Sequence, residues 1–249
     1  MNDSLRESSV WVTGSSRGIG AAIAKRLAGD GMRVAIHGRD PDRTRALAAE
    51  LGAIAVLGDV TVAVDVERMR GEIEHQLGPI GILVANAGGN LAPPSPLELI
   101  DEAAWRRTID ANLTATFLTI KSVLPGMKRR GRGVIVTISS AAGRRASAMS
   151  PIAYSAAKAG IELMTQSIAA QAGPAGVRAV CIAPETILTE ANQQRIPTDV
   201  QTRLIAEHPI RRLGTPDDVA AAVAFLVSHD ASWISGITMD VAGGATLER

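Results

Sequence analysis

The chain has 249 residues, 46% of them hydrophobic and 20% charged, with a formal net charge of +1. Aromatics make up only 2%, so the core is aliphatic, and the charge balance gives no long-range pull toward nucleic acid or an anionic membrane. One cysteine excludes an internal disulfide, and no apolar run reaches the ~18 residues that a membrane span needs.

The polar start MNDSLRESSV does not read as a secretory signal, so a soluble cytoplasmic protein is the expectation. Cys181 lies in the apolar run VRAVCIA and reads as a small buried hydrophobe. His37, His75, His208 and His229 share no metal-ligand spacing, so they read as packing or surface residues and no metal is expected.

In chain order, SVWVTG is the first strand, and it opens into a helix from Arg17 to about Asp30, closed by Gly31. RVAIHG is the second strand. Its helix runs from Pro41 to Leu51, with Asp40 placed to cap it and Gly52 just beyond. AIAVLGD is the third, followed by a helix from about Val64 to Leu77, and IGILVANAGG is the fourth. A helical region from Asp101 to Arg130 follows, with a turn expected near Pro125. GVIVTISS is the fifth strand, Ile152 to Ala172 the next helix, and GVRAVCIAP the sixth strand. After the polar stretch Glu185 to Arg212 come a helix from Asp217 to Ser228 and a last strand, GITMDVAGG.

These strands are continuous apolar runs, the pattern of a parallel sheet covered on both faces. Strand followed by helix, repeated, reads as an α/β fold: one Rossmann-type doubly wound parallel sheet with helices on both faces. No linker divides the chain, so residues 1–249 read as a single dinucleotide-binding catalytic domain. Residues 185–212 lie beyond the carboxyl end of a strand and read as a substrate lid, or else as an ordinary surface loop.

Gly14, Gly18 and Gly20 fall between the first strand and its helix. Glycine there allows a tight turn and close approach of backbone to a pyrophosphate, with the helix amino end facing the charge. The second strand ends HGRD, where an NAD site wants an acid for the ribose diol. Arg39 stands there instead, and with Arg17 it offers planar multi-donor forks for the extra phosphate of NADP. Asp59 either accepts from an adenine amino group or caps the following helix. Gly88 and Gly89, ending the fourth strand, let backbone pack beside a ligand or simply turn.

Tyr154 is the only tyrosine, and Lys158 follows it four residues later, on the same helix face. A free phenol near pKa ~10 is a poor base at neutral pH, and a nearby ammonium is expected to lower it. Ser139 and Ser140 end the fifth strand and are expected to point into the same crevice, where a hydroxyl could donate to a carbonyl oxygen.

Five ordered motifs then match a known pattern: TGSSRGIG (Thr13–Gly20), NAG (Asn86, Ala87, Gly88), Asn112 in IDANL, Ser140 with Gly143 at its usual offset, and YxxxK at Tyr154 and Lys158. Over nearly its whole length the chain resembles the short-chain dehydrogenase/reductase family. RRLGTPDDVA and SGITMDVAGG resemble its 3-oxoacyl-carrier-protein-reductase-like branch. The resemblance implies that Tyr154 exchanges a proton with the substrate oxygen, Lys158 binds the nicotinamide ribose, and Ser140 holds the carbonyl oxygen. Asn112 fixes a helix bend and a proton-relaying water. It implies cofactor contacts from Gly14, Ser16, Arg17, Gly18, Ile19, Gly20, Arg39, Asp59, Val60, Asn86, Ala87, Gly88, Tyr154, Lys158, Pro184 and Thr189, and substrate contacts from Ser140 and Glu185. The sequence departs from the family at Ala85 for the first Asn of NNAG, at Glu185 for the glycine after Pro184, and at Val180 for a usual Asn. The segment between Ser140 and Tyr154 is one residue longer. Glu185 either points into the pocket, selecting a basic or hydroxylated substrate, or turns outward.

The expected function is NADPH-dependent reduction of a small or medium ketone, a 3-oxoacyl thioester among the candidates, with NADP(H) as cofactor. MKRRGR (Met127–Arg132) either meets an acidic acyl carrier protein or is a solvated helix end. A sugar, polyol or secondary-alcohol dehydrogenase working oxidatively is the alternative, and a non-catalytic cofactor-binding regulator a third. The resemblance also implies a tetramer or dimer associating through Asp101–Arg130 and Ile152–Ala172.

Overall fold

The computed structural model describes residues 8–245. Strands β1 (Ser9–Val12), β2 (Arg33–Gly38), β3 (Ile54–Leu57), β4 (Ile80–Ala85), β5 (Gly133–Ile138), β6 (Val177–Pro184) and β7 (Thr238–Val241) form one parallel sheet in the order β3-β2-β1-β4-β5-β6-β7. The order reverses between β1 and β4, which opens a crevice at their carboxyl ends.

Alternation along the strands fills both faces. On β1, Val10 and Val12 enter one apolar layer and Trp11 the other. The first layer takes Ile23 and Leu27 of α1 (Gly18–Gly29), Leu47 of α2 (Pro41–Leu51) and Val219 and Val223 of the helix spanning Pro216–Val227. The second takes Met69 and Ile73 of α3 (Ala63–Leu77) and Ile120, Val123 and Met127 of the helix spanning Ala115–Arg130. Both faces are therefore covered, which is why the strands read as unbroken apolar runs.

The caps follow the sequence signals. Asp40 accepts from the Asp42 and Arg43 N–H groups ahead of α2, and Gly52 closes that helix in the left-handed region at φ +60°.

The region after β4 differs from expectation. It contains α4 (Glu102–Ile109), a widened π turn at Asp110–Thr114, and α5 (Ala115–Arg130). The turn expected near Pro125 is absent, because Pro125 sits inside α5 on an exposed position. Its fixed φ suits a helix, and only one N–H is missing from the solvent side. The irregularity falls at Asn112, where the family resemblance implied a helix bend and where a side chain competes for backbone groups.

A four-residue helix, α6 (Ala141–Arg144), precedes the long α7 (Ile152–Ala172). Residues 185–212 carry α8 (Glu190–Arg195) and α9 (Thr198–Glu207), and α10 (Pro216–Val227) leads to β7. Ile187 bridges to Gly214, so both ends of this segment are pinned to one another. No helix among the described residues is long and apolar enough to cross a membrane.

A proline inside a helix forfeits one backbone hydrogen bond. Pro125→Ala is therefore expected to stabilise the protein by about 1 kcal/mol, read as a higher urea midpoint at unchanged slope.

Candidate active site

The turn after β1 is held by β4. Thr13 Oγ1 accepts from the Asn86 and Ala87 N–H groups, both at 3.0 Å. Asn86 Nδ2 returns bonds to the Thr13 carbonyl at 2.9 Å and the Gly14 carbonyl at 3.1 Å. Gly14 and Gly18 have φ +63° and +57°. A Cβ on Gly20 would lie 2.3 Å from the Gly14 carbonyl oxygen and 2.5 Å from Asn86 Nδ2. Only glycine permits this closeness. The amino end of α1 has no side-chain cap, so its first N–H groups face the crevice unpaired by side chains.

Other predicted cofactor residues border the same crevice edge. Ser16 stands over Gly38, where a Cβ would come within 2.9 Å of its hydroxyl. Arg17 is exposed, while Ile19 packs on the core and Val60 is buried. Arg39 is 79% exposed and makes only a loose pair with Asp59 at 3.7 Å. Asp59 does not cap α3; its Oδ1 accepts from the N–H and hydroxyl of Thr61, two residues ahead of that helix. Pro184 ends β6, and Thr189 caps α8. A Cβ on Gly18 would touch the Thr189 methyl at 3.5 Å, so the start of the 185–212 segment lies beside the turn.

Past β5, Ser140 caps α6 by accepting from the Ala142 N–H, and its hydroxyl is the hydrogen-bond partner of the Tyr154 phenol. Tyr154 is in the first turn of α7, and Lys158 lies one turn on, its Nζ 5.5 Å from the phenol ring centroid. The expected lowering of the tyrosine pKa is not found. Burial raises it above the ordinary value, and the only counterweight is the Ser140 bond. Lys158 is itself buried, which brings its pKa from 10.5 down to about 8, and it donates to the Ile138 carbonyl at 2.8 Å.

Asn112 is fully buried in the π turn. It accepts from the Gly89 N–H at 3.0 Å and donates to the carbonyls of Gly89 at 3.0 Å and Thr108 at 2.9 Å. The side chain thus ties the end of β4 to the helix break. Gly88 is required beside it, since a Cβ there would lie 2.5 Å from Asn112 Oδ1.

Ser139 turns away from Ser140. It bonds to Glu162 Oε1 at 2.7 Å under α7. Glu162 pairs with Arg144 at 3.4 Å, and Arg144 with Asp240 at 3.3 Å. A Cβ on Gly143 would lie 2.8 Å from the Ala159 nitrogen and the Lys158 carbonyl carbon, so α6 presses directly on α7. This network fixes the Ser140 turn against the helix of Tyr154 and Lys158, and sequence reasoning missed it. The available signal was the spacing Tyr154, Lys158, Glu162, one row of an α-helix.

Glu185 is taken up by its neighbours, with its side chain 20% exposed. Its Oε2 pairs with Arg145 at 3.2 Å, its Oε1 accepts from Thr186, and Arg145 also reaches the Ala245 carbonyl. The MKRRGR run ends at the amino end of β5, and Arg130 donates to the Ile80 carbonyl there. A six-residue strand spans about 20 Å, so within this chain that run sits at the opposite end of the sheet from Ser140.

The comparisons agree with this architecture. Residues 14–246 match the family model described as Enoyl-(Acyl carrier protein) reductase. The chain is 37% identical to 2-(S)-hydroxypropyl-CoM dehydrogenase 3 of Xanthobacter autotrophicus, covering 99% of each protein. It is 38% identical to the 3-oxoacyl-[acyl-carrier-protein] reductase MabA of Mycobacterium tuberculosis, over 95% of this chain and 92% of that one. A solved 7α-hydroxysteroid dehydrogenase, complexed with NADH and 7-oxo glycochenodeoxycholic acid, superposes with a TM-score of 0.92 at 32% identity, covering 100% of this chain and 99% of that one. With the family model spanning most of its length and relatives of this identity along nearly all of it, the chain belongs to the short-chain dehydrogenase/reductase family of oxidoreductases.

Proposed function

We propose that the chain reduces a small or medium ketone to a secondary alcohol with NADPH. The observation that carries this reading is the meeting of the Tyr154 phenol and Ser140 hydroxyl beside the buried Lys158 ammonium, in a crevice shared with the glycine turn. The turn fits a dinucleotide phosphate, because its crowded glycines let a ligand approach the backbone closely and the α1 amino end, from Gly18, carries no side-chain cap. Gly14, Ser16, Gly18, Ile19 and Gly20 would hold the pyrophosphate. Asp59 and Val60 would hold the adenine side. Asn86, Ala87, Gly88, Pro184 and Thr189 would line the nicotinamide side.

When bound, the cofactor supplies the hydride. Ser140 donates its hydroxyl proton in a hydrogen bond to the substrate carbonyl, while still accepting from Ala142. Tyr154 gives its phenolic proton to that oxygen as negative charge develops there. Burial keeps the phenol protonated at rest, the state from which it gives a proton. Lys158 spends one Nζ hydrogen on Ile138 and keeps two for the ribose hydroxyls. Arg17 and Arg39 are exposed cations at the edge where NADP carries its extra phosphate. Residues 185–212 form the lid, starting against Gly18 and tied back at Gly214. Exposed Phe117 on α5 and Leu163 on α7 fit association through those helices.

Oxidation of a secondary alcohol or polyol is the second reading. It is favoured by the polar α8 sequence EANQQR and by the likeness to a hydroxypropyl-CoM dehydrogenase.

Tyr154→Phe should lower turnover of a ketone panel by at least ~100-fold with cofactor affinity unchanged; surviving turnover removes the proton-donor role. Arg39→Ala should lower the NADPH-to-NADH ratio of kcat/KM about tenfold. A wild type that prefers NADH overturns the phosphate argument.

Lys158 also gives a stability signature. Between pH about 8 and 10.5 the unfolded chain holds a proton that the folded chain has lost, so this group makes stability rise with pH there. Below pH 8 both states are charged and the burial penalty is constant. Lys158→Met removes the term. Its stability relative to wild type should therefore fall by about 3 kcal/mol from pH 7.5 to 10.5 in denaturant melts.

A further inference from the structure

The turn that faces the phosphates is tied to β2 by one histidine. Ser15 N–H donates to the His37 carbonyl at 2.8 Å, and His37 N–H donates to Ser15 Oγ at 2.9 Å. Ser15 Oγ passes its own proton to the Val12 carbonyl at 2.7 Å. The imidazole, only 2% exposed, then spans two loops. Gly14 N–H donates to Nδ1 at 2.8 Å, and Nε2 lies 3.1 Å from the Gly58 carbonyl at the end of β3.

These partners leave the ring one tautomer. A backbone N–H cannot accept, so Nδ1 must carry the lone pair. A carbonyl cannot donate, so Nε2 must carry the proton. Every polar atom of the side chain is then used. A second proton on Nδ1 would face the Gly14 N–H donor against donor, and the tie would break. Gly14 has little room to adjust, since a Cβ there would already lie 2.9 Å from Ala87 Cα and its φ is left-handed.

We infer that His37 is a positioning residue for cofactor binding: as the neutral Nε2–H tautomer it holds the Gly14 N–H and the Gly58 carbonyl together, presetting the glycine turn against the adenine-side loop. This rests on the dinucleotide reading of the turn. Burial lowers the ring's pKa below its ordinary value, opposed by the Gly58 bond and the Asp59 charge and assisted by the Arg39 charge. From α3, Arg68 reaches the Leu57 carbonyl beside Gly58, and Asp65 accepts from the Asp59 N–H. The turn is therefore intact at neutral pH and loosens in acid.

The test measures dinucleotide affinity directly, by fluorescence titration of NADPH and of NADH from pH 5 to 8, alongside thermal melts. His37→Leu should weaken binding about tenfold at pH 7.5. His37→Asn places a non-titrating acceptor near the Nδ1 position. It should keep affinity within about threefold of wild type at pH 7.5 and lack the extra weakening that wild type shows as the pH falls toward 5. Nitrogen-15 NMR of the wild-type ring should show the Nε2–H tautomer. An Nδ1–H tautomer, wild-type affinity in a folded His37→Leu, or the same acid weakening in His37→Asn as in wild type overturns the inference. If His37→Leu does not fold, the Asn variant and the tautomer decide. A folded wild type that binds neither dinucleotide sinks the dinucleotide reading instead.

Discussion

The architecture depends on how closely β1 and β4 let their ends approach. The strand order reverses between them, and the chain must leave each strand in opposite directions without burying unpaired backbone groups. Thr13 and Asn86 solve this by exchanging bonds across the gap: hydroxyl to two N–H groups one way, amide to two carbonyls the other. With these groups satisfied internally, and the Gly14 N–H taken by His37, the uncapped amino end of α1 remains as the polar surface of the crevice. The anion-facing character of the turn is thus a residue of the folding problem, left over after the strand ends have paired.

Much of the fold was legible because local rules and burial agree. Unbroken apolar strands, Asp40 before Pro41, and Gly52 after Leu51 each report one chemical need, and each holds in the structure. Pro125 misled because a proline on a solvent-facing helix position removes one hydrogen bond without forcing the chain to turn. The real break, at Asn112, was implied by the family resemblance but is invisible in the local residue pattern. Its cause is Gly89, 23 residues away, which takes the asparagine side chain on both its donor and acceptor sides. In the candidate site, the Tyr154 and Lys158 pair was legible from spacing. The opposite orientations of Ser139 and Ser140, and the ring contacts of His37, were not, because their partners come from other elements.

The charges under α7 divide into two kinds. Glu162, Arg144 and Asp240 neutralise one another and join the Ser140 turn to the helix. Lys158 has no such carboxylate. Its bonded neighbour is a carbonyl, and the nearby Cys181 thiol is pushed up by burial and stays neutral. A buried ammonium without a counter-ion costs folding stability. The adjacent carboxylate, Glu162, is engaged by Ser139 and Arg144 and makes no ion pair with the lysine. The fold therefore keeps a cation free of internal neutralisation next to the phenol, an arrangement that serves polar ligand groups better than it serves stability.

The same separation explains the rim. Glu185, directly after Pro184, brings a carboxylate to the carboxyl end of β6. Arg145, just past α6, takes up that carboxylate and also reaches the Ala245 carbonyl. The pair joins the segment after α6 to the start of the 185–212 segment and to the chain just past β7. A partly exposed pair of this kind is weak in water. Its consequence is geometric: it links three segments that follow the carboxyl ends of β5, β6 and β7.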